Sequence, residues 1–192
     1  IIGYDHHFGR NRTASIEQLK EFGELYDFKV TEILAQDIDD IAISSTKIRK
    51  ALANGEIRLA NKFLGYNFFF SGDVEHGNNI GKTMSFPTAN IKVDQPYKLI
   101  PKNGVYIVKT IIDNQTTFGM MNIGYNPTFN RKQKSIEIHF LNFNKNIYHK
   151  NLTIEMIMRI RNEIKFNSVE DLKKQLEQDK LSTLNYIKSL NI

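Results

Sequence analysis

The sequence predicts an α+β protein in which an α/β segment precedes an antiparallel β-barrel or sandwich and a C-terminal helix. Helical and strand-like patterns alternate over residues 1–65, which is typical of α/β units with a parallel sheet. Short aromatic and β-branched runs separated by Gly, Asn and Pro fill residues 66–161, and this spacing indicates the antiparallel barrel or sandwich. We therefore expect two domains, residues 1–65 and 66–192.

The composition is that of a globular protein. The 192 residues are 41% hydrophobic and 24% charged, with a net charge of +5. No run approaches the roughly 20 apolar residues of a membrane helix, so we expect no membrane contact. The absence of Cys excludes disulfides and thiolate chemistry and favours a cytoplasmic location. Basic charge suits both nucleic acids and nucleotides, but Lys and Arg are spread along the chain, which disfavours nucleic acid.

The first domain is expected to alternate strand and helix. We predict a buried strand at residues 1–5, a helix capped by Thr13 or Ser15 that ends near Tyr26, and a strand at residues 28–34. The remaining predicted elements are an acidic loop at residues 36–40, a helix from about Ser44 to Gly55 and a helix from Glu56 to Leu64.

The second domain is expected to consist of short strands and one long helix. Asn114-Gln115 predicts a hairpin turn, and Ser168 predicts the N-cap of a helix that ends near Leu190. The predicted strands cover residues 66–75, 88–93, 104–113, 117–123, 135–142 and 152–160.

Hydroxyl and basic side chains gather at the start of the helix near Ser44. Ser45, Thr46 and Arg49 fall in its first turns, and a helix N-terminus of this kind binds anions. Capping alone also explains Ser and Thr at this position, so both interpretations stay open.

A glycine-containing stretch follows the first predicted strand of the second domain. Gly77 and Gly81-Lys82-Thr83 are spaced one residue short of a P-loop, and Pro87 prevents the long helix that a P-loop requires. The stretch is either an ordinary surface loop or a nucleotide-binding loop of another fold.

The motifs, taken in order, resemble the bacterial bifunctional riboflavin kinase/FMN adenylyltransferases, also called FAD synthetases. Residues 66–192 are similar to the riboflavin kinase domain, and residues 1–65 are similar to the second half of the adenylyltransferase domain. The most specific motif is Phe86-Pro87-Thr88-Ala89-Asn90. The other matching motifs are Gly3 to Gly9, Ser44 to Arg49, Gly72 to Gly77, Gly81 to Thr83, Pro101 to Tyr106, Asn122 to Thr128, Ser135 to His139, Arg161 to Phe166, Asp171-Leu172 and Asp179.

This resemblance implies a six-stranded antiparallel Greek-key barrel with a C-terminal helix, preceded by a partial Rossmann-like nucleotidyltransferase segment. It implies transfer of the γ-phosphate of ATP to the ribityl 5′-hydroxyl of riboflavin, which gives FMN and ADP and requires Mg²⁺. By the same resemblance, Glu137 would be the general base, Thr88 and Asn90 would hold Mg²⁺, and Arg161 and Phe166 would border the flavin. The implied ATP-binding residues are Gly77, Gly81, Lys82, Thr83, Pro87, Thr88 and Asn90, and the implied adenylyltransferase remnant is Ser45, Thr46 and Arg49.

The residue types agree with these roles, although each also has a plainer interpretation. Mg²⁺ prefers few protein oxygens with phosphates and water, which suits Thr88 and Asn90, but both residues commonly satisfy turns. Glu137 alternates with Ile136 and Ile138 and so faces away from them, which makes its carboxylate either a solvated surface group or the base. Arg161 could neutralise phosphate or pair with Glu163. We expect His139, on the same face as Glu137, to be structural or to support a site residue.

Several positions depart from the family pattern. Ser85 replaces the usual glycine, which would cost strain if its φ is positive. Asn142, His149 and Asn162 replace the usual Asp, Gly and Pro. The His-x-Gly-His signature of adenylyltransferases is absent, so we expect FMN adenylylation only in a longer protein and expect this chain to be a fragment of one.

One alternative function stays open from the sequence. A basic, aromatic-rich β-barrel could be a non-enzymatic module that binds nucleic acid or protein. The sequence does not predict the oligomeric state.

Overall fold

The computed structural model describes residues 2–3, 7–33, 37–38, 41–77, 81, 84–125 and 134–190. Contacts between Cα atoms divide the chain into two compact units, Ile1–Ser45 and Thr46–Ile192. Within the described ranges, no helix combines the length and the apolar character needed to cross a bilayer.

The first unit contains a small parallel α/β arrangement. Strand β1 (Ile2–Gly3) pairs in parallel with β2 (Glu32–Ile33), and helix α1 (Ile16–Leu25) lies between them in the chain. Ser15 is the N-cap of α1, and its amide donates to the Gln18 side chain at 2.9 Å. The predicted parallel α/β segment is therefore confirmed.

Two local predictions in this unit need correction. The strand predicted at residues 28–34 is described only as Glu32–Ile33. The Phe28 amide donates to the Gly23 carbonyl at 2.9 Å, so this part of the chain is still closing the last turn of α1. Strand β3 (Asp37–Ile38), which lies within the predicted acidic loop, pairs antiparallel with β4 (Ile41–Ala42), which follows that loop.

Two helices precede the barrel. They are α2 (Ser45–Asn54) and α3 (Ile57–Leu64), and α3 ends at Gly65 with a φ of 75°. Both helices contact the barrel part of the second unit, because the Leu52 carbonyl accepts from the Lys102 backbone amide and the Asn61 side-chain amide donates to the Met156 carbonyl. Residues 46–65 thus pack with the barrel, whereas the division into domains after residue 65 stays a prediction.

The second unit contains a closed barrel of six strands, as the resemblance implied. Every neighbouring pair is antiparallel, and the order around the barrel is β10-β5-β6-β9-β8-β7. The pairing of β6 with β9, which are separated in the chain by β7 and β8, gives the Greek-key topology. The strands are β5 (Phe69–Glu75), β6 (Ala89–Val93), β7 (Gly104–Ile112), β8 (Gln115–Tyr125), β9 (Lys134–Phe140) and β10 (Asn151–Arg161).

Alternation along each strand separates a packed interior from an outer face. Interior side chains form one buried cluster that includes Phe70, Tyr106, Met121, Ile138 and Ile154. Because this cluster fills the barrel, any cleft for ligands must lie on its outer face.

The C-terminal helix covers part of that outer face. Ser168 is the N-cap of helix α4 (Val169–Ser189), because its hydroxyl accepts from the Asp171 amide at 3.0 Å, so the predicted N-cap is confirmed. Leu172 and Leu176 of α4 pack against Met120 of β8. The β7–β8 turn has positive φ at Asp113 and Asn114, one residue earlier than the predicted turn.

Candidate active site

A row of side chains crosses the outer face of the barrel from strand to strand. Asn90 lies opposite Glu137, Glu137 lies opposite Asn122, and Asn122 lies opposite Val105. Val105 in turn lies opposite Arg161. Directly opposed residues of antiparallel strands point to the same face, so the sheet brings these side chains together although they come from five strands.

Two β-bulges in β10 bring Arg161 into this row. The register with β7 shifts between Met156 and Met158 and again between Arg159 and Arg161. Each bulge adds one residue to β10, so the two together shift its register with β7 by two residues. Arg161 therefore lies opposite Val105, where an uninterrupted register from Glu155 and Lys109 would place Arg159.

Glu137 and Thr88 are in direct contact at the centre of the row. The Thr88 hydroxyl donates to Glu137 Oε2 at 3.3 Å. Glu137 is half-buried, while Ile136 and Ile138 on either side are buried in the barrel interior. The prediction that Glu137 faces away from its two neighbours is therefore confirmed, and its carboxylate is turned towards a cleft.

The cleft has a volume of about 1170 Å³ and lies between the outer face of the barrel, α4 and the segment that precedes α4. One wall is apolar, and its side chains are Met84, Phe86, Met120, Leu172 and Leu176. The polar floor carries Thr88, Asn90, Asn122, Glu137 and Arg161. The rim is formed by residues 163–169. Ligand sites commonly combine apolar walls with a few convergent polar groups in this way.

The glycine stretch packs closely against the polar floor. A Cβ on Gly77 would lie 1.8 Å from the Asn90 side-chain nitrogen, and a Cβ on Gly81 would lie 2.2 Å from the Phe86 carbonyl oxygen. Neither position has room for a side chain. The Phe86 amide donates to the Gly81 carbonyl at 2.8 Å, which closes a tight turn before Thr88. Lys82 and Thr83, also predicted to bind ATP, lie outside the described residues.

Ser85 lies in that turn with a φ of 66°. A side chain in the left-handed region costs about 1–2 kcal/mol relative to the right-handed one. The predicted strain at this departure from the family's glycine is therefore present. Asn142 and His149, two other departures, also have positive φ, at 52° and 63°.

Arg161 is held by a buried carboxylate of α4. Its Nε and Nη2 donate to both oxygens of Asp179 at 2.7–3.0 Å, and Asp179 is 1% exposed. Gln175 also donates to Asp179, at 2.9 Å. The alternative pairing of Arg161 with Glu163 is wrong: Glu163 instead accepts from the Asn103 side chain at 3.0 Å. Arg161 also lies 5.9 Å from the centre of the Phe166 ring.

Most of the predicted kinase residues that the structure describes come together at the cleft. Thr88, Asn90, Glu137, Arg161 and Phe166 all line it, as does Gly81. Gly77 touches Asn90, and Pro87 precedes Thr88 in the chain. Ser45, Thr46 and Arg49 lie instead in the first turns of α2, where they are exposed.

Two residues of the site, Asn122 and Asp179, were named from the sequence only as parts of the matching motifs and were given no role. Asn122 shares a face of β8 with Met120, and alternation along that strand could have placed it beside Glu137. Asp179 follows Leu172 and Leu176 at helical spacing. A lone carboxylate in an apolar stripe indicates a buried partner, and here that partner is Arg161.

Comparisons with protein families agree with this fold. The family described as Flavokinase, riboflavin kinase, matches residues 64–187. The chain therefore belongs to the riboflavin kinase family. A second family, described as FAD synthetase, matches residues 1–47, which fits the partial nucleotidyltransferase segment.

Individual relatives show the same relationship. The chain is 40% identical over 191 residues to the bifunctional riboflavin kinase/FMN adenylyltransferase of Listeria monocytogenes, with 99% of this chain and 60% of the relative covered. The proteins of the same name are 43% identical in Buchnera aphidicola (subsp. Schizaphis graminum; 93% of this chain, 58% of the relative) and 33% identical in Escherichia coli K12 (96% and 59%). The chain thus spans about three fifths of the length of these relatives.

A solved structure supports the fold. The crystal structure described as a macrolide-efflux protein from Streptococcus pneumoniae is 34% identical and superimposes with a TM-score of 0.85. The match covers 96% of this chain and 60% of that chain.

Proposed function

We propose that this chain is a riboflavin kinase that transfers the γ-phosphate of ATP to the ribityl 5′-hydroxyl of riboflavin. The proposal is supported by membership of the riboflavin kinase family and by the names of the bifunctional relatives. The observation that carries it is the contact of Glu137 with the Thr88 hydroxyl, beside Asn90, on the floor of a cleft with an apolar wall.

Glu137 acts as the general base in the proposed reaction. Its carboxylate accepts the proton of the riboflavin 5′-hydroxyl as that oxygen attacks the γ-phosphorus of ATP. The bond between the γ-phosphorus and the bridging oxygen of ADP breaks, and ADP leaves with that oxygen. Phosphoryl transfer needs mainly positioning and charge neutralisation, which the neighbouring side chains of the row can supply.

Thr88 and Asn90 would hold Mg²⁺ with the phosphates. Their hydroxyl and amide oxygens are ligands that Mg²⁺ accepts when phosphates and water complete its shell. When bound, the ion neutralises charge on the transferred phosphoryl group. Gly77 and Gly81 allow the backbone of the glycine stretch to lie close to Asn90 and Phe86, because a side chain at either position would clash there.

The apolar wall would take the flavin ring, and the glycine stretch would take ATP. Met84, Met120 and Leu172 offer the flat, apolar surface that a fused ring system requires. Phe166 and Arg161 lie at the end of the same cleft. A volume of about 1170 Å³ exceeds the usual range of about 300–1,000 Å³ for one small ligand, in agreement with two substrates.

The test is FMN formation from riboflavin, ATP and Mg²⁺, measured by chromatography. Glu137→Gln should lower kcat at least about 100-fold, since a positioned base contributes about 10²–10⁴-fold. Its free energy of unfolding should change by less than about 0.5 kcal/mol. The matched control is Glu75→Gln: Glu75 lies opposite Asn90 in the next strand but pairs with Lys92 at the surface.

The outcomes separate the function from the role of the base. No FMN from the wild-type chain would overturn the proposed function. FMN formation by Glu137→Gln at the wild-type rate would overturn the role of Glu137 alone. Turnover by Glu75→Gln within about twofold of wild type is the expected control result, as for surface substitutions in general.

The matching families name enzymes and give no support to a non-enzymatic binding module. FMN adenylylation remains an expectation for a longer protein that contains the rest of that domain. A cytoplasmic location is likewise a proposal, based on the absence of Cys.

A further inference from the structure

His139 makes two directed contacts at the edge of the cleft. It lies two residues beyond Glu137 on the same face of β9, opposite Met120 of β8. Its Nδ1 donates to the Pro87 carbonyl at 2.9 Å, because a carbonyl oxygen can only accept. Its ring meets the Phe86 ring edge-on at a centroid distance of 5.0 Å. Both partners belong to the segment that leads into Thr88.

The hydrogen bond to the Pro87 carbonyl fixes the orientation of the peptide that leads into Thr88. The carbonyl of Pro87 and the amide of Thr88 form one planar peptide. The proline ring already fixes φ at Pro87, so the orientation of this carbonyl is the remaining freedom of the peptide plane. A donor on the carbonyl removes that freedom. The Thr88 hydroxyl donates to Glu137. Pro87 and Thr88 are consecutive residues, so their two hydrogen bonds link His139 to Glu137.

We propose that His139 is a positioning residue for the kinase reaction, which holds the Pro87–Thr88 peptide so that the Thr88 hydroxyl faces the phosphates beside Glu137. The inference rests on the proposed function. His139 acts through Pro87 and Thr88 and does not touch the reacting atoms. If His139 only filled space, its edge contact with Phe86 would be its whole role, and an apolar side chain could replace it.

A pair of nearly isosteric variants separates these roles. His139→Asn places an amide nitrogen where Nδ1 stands, and His139→Leu has a similar branched shape without a donor. Both variants lose the ring contact with Phe86, so their difference isolates the bond to Pro87. His139→Leu should have a kcat/KM for Mg·ATP about five- to tenfold below that of His139→Asn, the effect of one hydrogen bond. The KM for riboflavin should be equal in the two variants.

Equal kcat/KM values for Mg·ATP in the two variants would overturn the positioning role. The positioning role would also be overturned if the KM values of both substrates changed equally and the melting temperature of His139→Leu were lower. A general loss of packing around residue 139 predicts that pattern. Titration of both variants with Mg·ADP by calorimetry gives a readout that needs no turnover. If the wild-type chain forms no FMN, the proposed function fails, and equal Mg·ADP affinities would separately reject the role of His139.

Discussion

Replacing Asp179 by Asn removes the charge that holds Arg161 at the cleft. The carboxylate accepts three N–H groups, from Arg161 Nε, Arg161 Nη2 and Gln175 Nε2. Asn keeps one oxygen and turns an NH₂ group towards donors that it cannot satisfy. The guanidinium then loses its opposite charge in a place where Asp179 is 1% exposed and the Arg161 side chain 16% exposed.

The expected loss of stability follows from this burial. Breaking a fully buried ion pair costs about 3–5 kcal/mol. Asn retains one acceptor for Arg161, and the guanidinium is partly solvated, so we expect a loss of about 2 kcal/mol in the free energy of unfolding. With a urea m-value of about 2 kcal/mol/M, the unfolding midpoint should fall by about 1 M. The KM for riboflavin should rise several-fold, because Arg161 lines the cleft.

Urea unfolding followed by circular dichroism measures this effect, with Glu177→Gln as the control. Glu177 is exposed on the same helix, and its substitution should change stability by less than about 0.5 kcal/mol. A midpoint of Asp179→Asn within about 0.3 M of wild type would refute the reasoning. Additive losses for Arg161→Gln and Asp179→Asn in a double-mutant cycle would also refute it, since paired residues couple by about 0.5–3 kcal/mol.

Two further predictions concern Ser85 and His139. Ser85→Gly should raise the melting temperature by about 2 °C. The gain is modest because the relief of about 1–2 kcal/mol of strain is partly offset by the greater entropy that glycine gives the unfolded chain. Asn142→Gly should change the melting temperature less, since Asn tolerates positive φ. An equal shift in both variants would refute the strain at Ser85. Burial, the largest influence, lowers the pKa of His139 below its ordinary 6.5; the Pro87 carbonyl and Glu177 raise the pKa, and Lys180 lowers it. The folded chain therefore binds this proton less readily than the unfolded chain, and stability is lost as the pH falls below about 6.5 towards the lowered pKa. Urea unfolding at about pH 7 and pH 5 should show a larger loss for wild type than for His139→Asn, and parallel losses would contradict this.

Much of the fold could be predicted because its signals are local. The alternation of Ile136, Glu137 and Ile138 marks a strand with one buried face, and the structure has that strand and that face. Ser168 begins the last helix, as its hydroxyl predicts. The strand expected from Phe28 fails for a local reason as well, since the closing turn of α1 takes the Phe28 amide and overrides the alternation.

The candidate site divides between what the sequence determined and what the tertiary structure decided. Glu137, Thr88 and Asn90 could be named from the sequence because their motifs are contiguous and specific. The partner of Arg161 could not, because two bulges set which residue of β7 lies opposite Arg161, and the docking of α4 brings Asp179 there across 18 residues of chain. Alternation places neighbours on a face, but bulge register and helix docking depend on packing between distant segments. Only the folded chain therefore shows that Arg161 pairs with Asp179 and that His139 donates to the Pro87 carbonyl.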